Sequence, residues 1–199
     1  MPENTPLRFG HSRYLKELTP YLIASVLLIG TGTASGILTA AHAPNLAVAI
    51  RQPFESFAKT LIGLPKLYLL LFIFLNNALK VLLVIVLGPL LGIVPMVFLL
   101  INGYMIGILL NLSLHSQGLL RSFLAVAPHG LLEIPAVLLG TSVGLMLGAH
   151  ATRRLFGKPE TTLGYDLGEA LKFFTIMIVP LLFIAAFVEA FLTAFVVAR

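Results

Sequence analysis

Apolar residues run through this chain in long blocks and not in the short alternations of a soluble fold. A membrane-spanning helix needs about 20 apolar residues in succession, and five blocks reach that length: 20–41, 66–87, 93–114, 129–151 and 171–195. The second and third blocks belong to one apolar stretch that is too long for a single helix. It divides at GPLLGIVP, where Gly88, Pro89, Gly92 and Pro95 supply the chemistry of a tight hairpin turn. Between the first two blocks, PNLAVAIRQPFESFAKTLIGLP mixes apolar residues with Arg51, Glu55 and Lys59, and Pro53 interrupts it. This segment reads as an amphipathic stretch lying on the membrane surface, with a short soluble loop as the alternative.

Positions 119–151 are too many for one straight span and too few for two. The residues after Gly130 already cross a hydrocarbon core of about 30 Å. The stretch before Pro128 is therefore expected to lie along the interface or to dip in as a re-entrant half-helix. Pro128-His129-Gly130 would be the junction. The pattern predicts an all-α, polytopic membrane helix bundle: a cytoplasmic segment 1–19, then one transmembrane domain 20–199 of about five spans, with the amphipathic segment and the short helix before Pro128 at the surface.

Composition strengthens this class. Hydrophobic residues make up 58% of the chain and charged residues 11%, with a mean hydropathy of +1.01. Soluble domains carry about 25% charged residues, so this chain cannot cover itself with polar surface in water. Its net charge of +5 comes from basic residues beside apolar spans, where they set topology and meet lipid headgroups. The bilayer is the expected partner, and nucleic acid is not. There is no cysteine, hence no disulfide framework or thiolate metal site. The first twenty residues lack an apolar core followed by a small-residue cleavage site, so the first span is expected to insert and stay.

Lysine and arginine placement predicts orientation. With the N-terminus inside, Arg8, Arg13, Lys16, Arg153, Arg154, Lys158 and Lys172 are cytoplasmic, and Arg51, Lys59, Lys66, Arg121 and Arg199 are outside. The expectation is a multi-pass protein of the cell membrane with the N-terminus cytoplasmic and the C-terminus outside.

The intramembrane polar inventory is short: Asn76, Asn77 and Lys80 in the second span, Asn102 in the third, Glu133 in the fourth, Glu189 in the fifth, and His129 at the outer mouth. Such groups are costly in lipid and usually face the protein interior or a water-filled cavity. At 100° per residue, Asn76, Asn77 and Lys80 share an arc of about 100°, and His129 and Glu133 lie about 40° apart. Glu133 also falls within about 20° of Gly140 and Gly144. Glycines four apart let a neighbouring backbone approach closely. The spacing occurs at Gly140, Gly144 and Gly148, at Gly103 and Gly107, and in GTASG. It points to a tight bundle, with self-association as a dimer as one outcome. Pro135 and Pro180 should free the carbonyls of Leu131 and Ile176, as simple kinks or as ligands for an ion or water.

These residues leave three chemistries open. The polar groups could be structural glue in a scaffold. They could handle protons, ions or a small solute in a transporter or channel. His129 and Glu133 could also share a metal, but a catalytic zinc takes three protein ligands, and the sequence holds no HExxH. Neither a cofactor nor enzymatic activity is expected.

Several stretches together resemble the stage II sporulation protein M family of multi-span membrane proteins. They are FLNNALKVLL with GPLLGIVPMVFLLINGYMIG, APHGLLEIPAVLLGTSVGL and the terminal AAFVEAFLTAFV. Family members often place proline after the threonine of the last motif, where this chain has Ala194. The resemblance implies a scaffold-like membrane protein that organises cell-envelope partners, because the namesake helps to recruit peptidoglycan-degrading proteins to the septum during engulfment. Relatives also occur in organisms that form no spores.

Overall fold

A computed structural model describes residues 12–62, 64–117, 119–157 and 161–193. The described residues are helical apart from turns. The elements are α1 (Ser12–His42), α2 (Pro44–Ile62), α3 (Lys66–Val86), α4 (Ile93–Gln117), α5 (Leu119–Leu155), α6 (Leu163–Phe173) and α7 (Val179–Val188). A π-helical segment, Phe174–Ile178, joins α6 to α7, and a second one, Glu189–Thr193, follows α7. Five stretches are long and apolar enough to cross a membrane: Tyr14–His42, Lys66–Val86, Ile93–Leu114, Glu133–Leu155 and Leu163–Phe191.

The amphipathic segment is helix α2, continuous through Pro53. At the other expected surface element the structure differs from the sequence expectation. One helix runs from Leu119 to Leu155, without a junction at Pro128-His129-Gly130. A proline removes one backbone hydrogen bond, a loss that membrane helices tolerate when neighbouring groups re-satisfy the freed carbonyl. The side chains of 115–132, His129 among them, lie outside the described residues.

α5 is the middle of the bundle and packs against α1, α3, α4, α6 and α7. α1 and α4 form a pair on one side of it, and α3 and α7 pack together on the other. The α1–α4 pair is parallel, and glycine makes it possible. An added Cβ at Gly103 would overlap the Ile29 carbonyl oxygen and lie 3.0 Å from Thr33 N, and one at Gly107 would overlap the Thr33 oxygen and lie 2.9 Å from Ile37 N. Gly32 and Gly36 meet the backbone of Leu100, Gly103 and Tyr104 in the same way. Contacts that advance in the same direction on both helices require parallel chains.

The α3–α4 turn, 87–92, packs its glycines onto those of α5. Gly88 abuts Gly144, and Gly92 abuts Gly148. Farther along α5, a Cβ at Gly140 would collide with Val81 of α3. The five glycines expected to serve helix packing thus make their contacts within one chain.

A core cluster closes the end of the bundle that carries Tyr14. Tyr14, Leu18, Ile85, Met146, Leu147, Ala170, Phe173 and Phe174 meet there, with the Tyr14 and Phe173 ring centroids 5.6 Å apart. A proline ring clashes with the carbonyl four residues earlier. The widened π turn directly before Pro180, in which Val179 N–H donates to the Phe174 carbonyl, is one way for a helix to absorb that clash.

Candidate functional site

The polar residues singled out in the sequence divide by depth, and the packing contacts fix that depth. Count 1.5 Å per residue from the Val81–Gly140 contact toward the end that carries Lys66. Asn77 then lies about 6 Å up α3, Asn76 about 8 Å, and Glu133 about 10 Å up α5. Pro95 Cγ lies 3.2 Å from the position of a Cβ on Gly144, which places Asn102 about 5 Å above the same level. The structure therefore brings Asn76, Asn77, Asn102 and Glu133 to one layer. α3 and α4 diverge there from their shared turn, and α5 lies behind them. All four are partly buried. The Asn102 side-chain amide donates to its own helix, at the Phe98 carbonyl, 2.7 Å away.

Glu189 sits apart from this layer. The Phe74 and Phe183 rings meet edge to face with centroids 5.6 Å apart, and Glu189 lies about 9 Å farther along its helix. That is near the end of the span, where Lys66 Nζ stands 5.7 Å from the Phe191 ring centroid. Both Glu133 and Glu189 make contacts of their own. Lys80 differs: it is exposed on the outside of α3.

Midway along the bundle, Ser25, Thr141 and Ser142 are fully buried. Ser25 Oγ lies 3.1 Å from Ser142 Oγ and 3.4 Å from Thr141 Oγ1, close enough for the Ser25 hydroxyl to donate to Ser142. Thr141 also bonds the Val137 carbonyl at 2.8 Å and Ser142 the Leu138 carbonyl. These hydroxyls stay paired in lipid through their own helix, and the cross-link to α1 is additional.

A densely paired polar group lies outside the residues to which the sequence pointed. Asp166, near the start of α6, has a side chain 2% exposed. Its Oδ2 accepts from Arg154 and lies 2.9 Å from His150 Nδ1, while its Oδ1 accepts from Thr161 Oγ1 at 2.6 Å. Arg154 Nε donates in turn to the Thr161 carbonyl at 3.2 Å. His150 and Arg154 are four apart on α5, one helical turn, so a single carboxylate can serve both. One turn along α6, buried Glu169 pairs with Lys172. Thr162 caps α6 by accepting from Tyr165 N–H at 3.3 Å. The local signal was present in TTLGYDLGEALK: a threonine cap, then Asp166 and Glu169 three apart on the face of Ala170 and Phe173.

This arrangement can lock, and it can hold charge in a dry place. Asp166 joins the end of α5 to the start of α6, and a paired carboxylate is far cheaper to bury than a free one. Among the described residues, no group of three or more histidine, aspartate, glutamate or cysteine side chains could hold a metal ion.

Comparison with known proteins fits this geometry to a family. Residues 25–194 match the family described as Stage II sporulation protein M. The chain belongs to that family. The match takes in the α1–α4 pair, the glycine-lined turn, all of α5 and the Asp166 cluster. An uncharacterized protein of Methanocaldococcus jannaschii is 33% identical over 122 residues, covering 60% of this chain and 68% of the relative. No solved structure matches the chain.

Proposed function

We propose that this member of the stage II sporulation protein M family is a non-enzymatic membrane scaffold that organises cell-envelope partners, with its Tyr14 end in the cytoplasm. The observation that carries the reading is that two sets of buried polar groups, one around Asp166 and one around Ser25, bond to one another. Asp166 is used up by His150, Arg154 and Thr161, and Ser25 by Thr141 and Ser142. Groups committed in this way fix one packing of α1, α5 and α6 and leave the lipid-facing sides of α3 and α4 as surface for other chains. The cytoplasmic placement rests on Lys16, Arg153, Arg154 and Lys172, which gather at the Tyr14 end.

The test is affinity capture after cross-linking in native membranes, with Glu133→Gln and Glu189→Gln beside the parent chain. The scaffold reading expects the same envelope proteins from all three at equal yield. Loss of those proteins from normally expressed glutamine variants would sink the view that these carboxylates only hold the bundle together.

A second reading has its own observation. Glu133 shares a layer with three asparagine side chains, and Glu189 opens a π-helical segment, a feature frequent at functional sites. A transporter or channel would use these groups for protons, ions or a small solute. Reconstituted liposomes decide this reading: proton or cation flux that disappears in Glu133→Gln supports it, and no flux across a broad panel of ions and solutes removes it.

A further inference from the structure

Lys80 is a cation on the lipid-facing side of a span, and the turn below it decides what can neutralise it. Among the described residues no ion pair reaches Lys80, whereas Asp166 and Glu169 are paired and Glu133 and Glu189 have contacts. A lysine near the end of a span usually snorkels to the headgroups, so its distance from water matters.

The α3–α4 turn has the chemistry of a segment that stays in the bilayer. No polar side chain occurs at positions 81–101, and Leu90 and Leu91 at its tip are 58% and 49% exposed. Leu91 adopts φ 56°, a left-handed conformation where asparagine or glycine would be easier. An apolar side chain there is what a hydrocarbon surrounding demands. The backbone N–H groups of Leu87, Gly88, Leu90, Gly92 and Ile93 donate to carbonyls of the turn or of the end of α3, which satisfies most of the turn's donors, as lipid favours. The turn also stops short of the polar layer. It packs on Gly144 and Gly148, and α5 continues about 9 Å from Gly148 to Arg154. Lys80 stands about 12 Å above Gly88 in the other direction. A four-carbon stem does not bridge about 20 Å to the level of Arg154 and Asp166.

From this placement we propose that Lys80, with Asn76 one turn away, is a docking point for a transmembrane helix of another protein that carries an aspartate or glutamate at mid-membrane depth. The inference rests on the scaffold reading and names the chemistry of its partner. An anion at the same depth can neutralise Lys80, whereas lipid phosphate is out of reach. A second copy of this chain is a poor source, because its intramembrane carboxylates are already engaged. A partner carboxylate would take the ammonium with one oxygen and the Asn76 amide with the other.

Two experiments test this on the full chain, which has no native cysteine. In the first, Leu91→Cys and Phe156→Cys are treated with a membrane-impermeant maleimide in intact and in inverted vesicles. Leu91→Cys should stay unlabelled from both sides until detergent is added, while Phe156→Cys labels from one side. Labelling of Leu91→Cys as fast as Phe156→Cys would put the turn in water, allow Lys80 to snorkel, and overturn the proposal.

In the second, a photo-cross-linker at Leu83 is combined with Lys80→Met and Lys80→Arg in native membranes. The expected product joins Leu83 to a spanning segment that contains aspartate or glutamate. Its yield should fall at least about tenfold in Lys80→Met and recover in Lys80→Arg. Cross-links to lipid alone, to a second copy, or at unchanged yield in Lys80→Met would each overturn it. If whole-chain capture still enriches envelope proteins in Lys80→Met, the scaffold reading survives and only this docking point falls. If the parent chain captures none, the scaffold reading itself fails.

Discussion

Alanine at Gly36 tests the parallel α1–α4 seam against a control on the same helix. An added Cβ there would overlap the Tyr104 carbonyl oxygen and lie 2.9 Å from Tyr104 C and 3.0 Å from Ile108 N. All three atoms are backbone, so no rotamer change relieves the clash and the two helices must part. Overpacking of this kind costs about 1–3 kcal/mol, offset by the gain of up to about 1 kcal/mol from replacing glycine within a helix. With the full gain, the net expectation is a loss of up to about 2 kcal/mol. Gly30 has nothing within 4 Å of its added Cβ, so Gly30→Ala should keep the gain alone. The helix gain is common to both, so the two variants differ by the overpacking cost of about 1–3 kcal/mol, or about 2–12 °C in midpoint for a chain of this length. The assay is the folded fraction left after heating in detergent, read as the monodisperse size-exclusion peak. Equal midpoints for Gly36→Ala and Gly30→Ala would refute the close approach of the two backbones.

Three further outcomes follow from the same structure. Asp166→Asn should lose about 2–4 kcal/mol in the same assay, a range set slightly below that of a fully buried pair because the Arg154 side chain is 20% exposed; a midpoint within a degree or so of the parent would show that the carboxylate holds nothing together. Ser25→Ala should cost less than about 1 kcal/mol, since Thr141 and Ser142 keep their bonds to Val137 and Leu138, and a larger loss would make the link to α1 essential. Leu91→Gly should raise stability in detergent by about 1 kcal/mol as the left-handed conformation is relieved. A drop there would mean that the leucine side chain matters more than its backbone.

Much of the fold was legible because spanning a bilayer is a demand on length and polarity that sequence states openly. The turn at 87–92 was equally legible, since Gly88, Pro89 and Gly92 are strong breakers whatever their surroundings. The junction expected at Pro128-His129-Gly130 relied on the same breaker logic, yet α5 is continuous there, because a membrane helix is held by its neighbours as well as by its own propensities. Glycine spacing announced close helix contacts without naming partners. That Gly103 and Gly107 meet Ile29 and Thr33 is a tertiary fact with no local trace. The Asp166 cluster was hidden for a similar reason. The fifth span was expected from 171, whereas its helix begins at Leu163, and His150 and Arg154 become partners of Asp166 only when α5 and α6 fold against each other. The layer of Asn76, Asn77, Asn102 and Glu133 was foreseen as a list, and its register came from Val81 and Pro95.

The parallel pairing of α1 and α4 has a consequence for how the chain is made. Antiparallel neighbours can enter a membrane as a hairpin, but parallel ones cannot. Gly103 and Gly107 are synthesised about 70 residues after Gly32 and Gly36, which at ribosomal speed is a delay of about 4–14 s. Throughout that interval the glycine-lined stripe and the Ser25 hydroxyl of α1 have neither α4 nor α5 to cover them. The first helix to insert is thus among the last to find its place, and its assembly is set by the rate of translation.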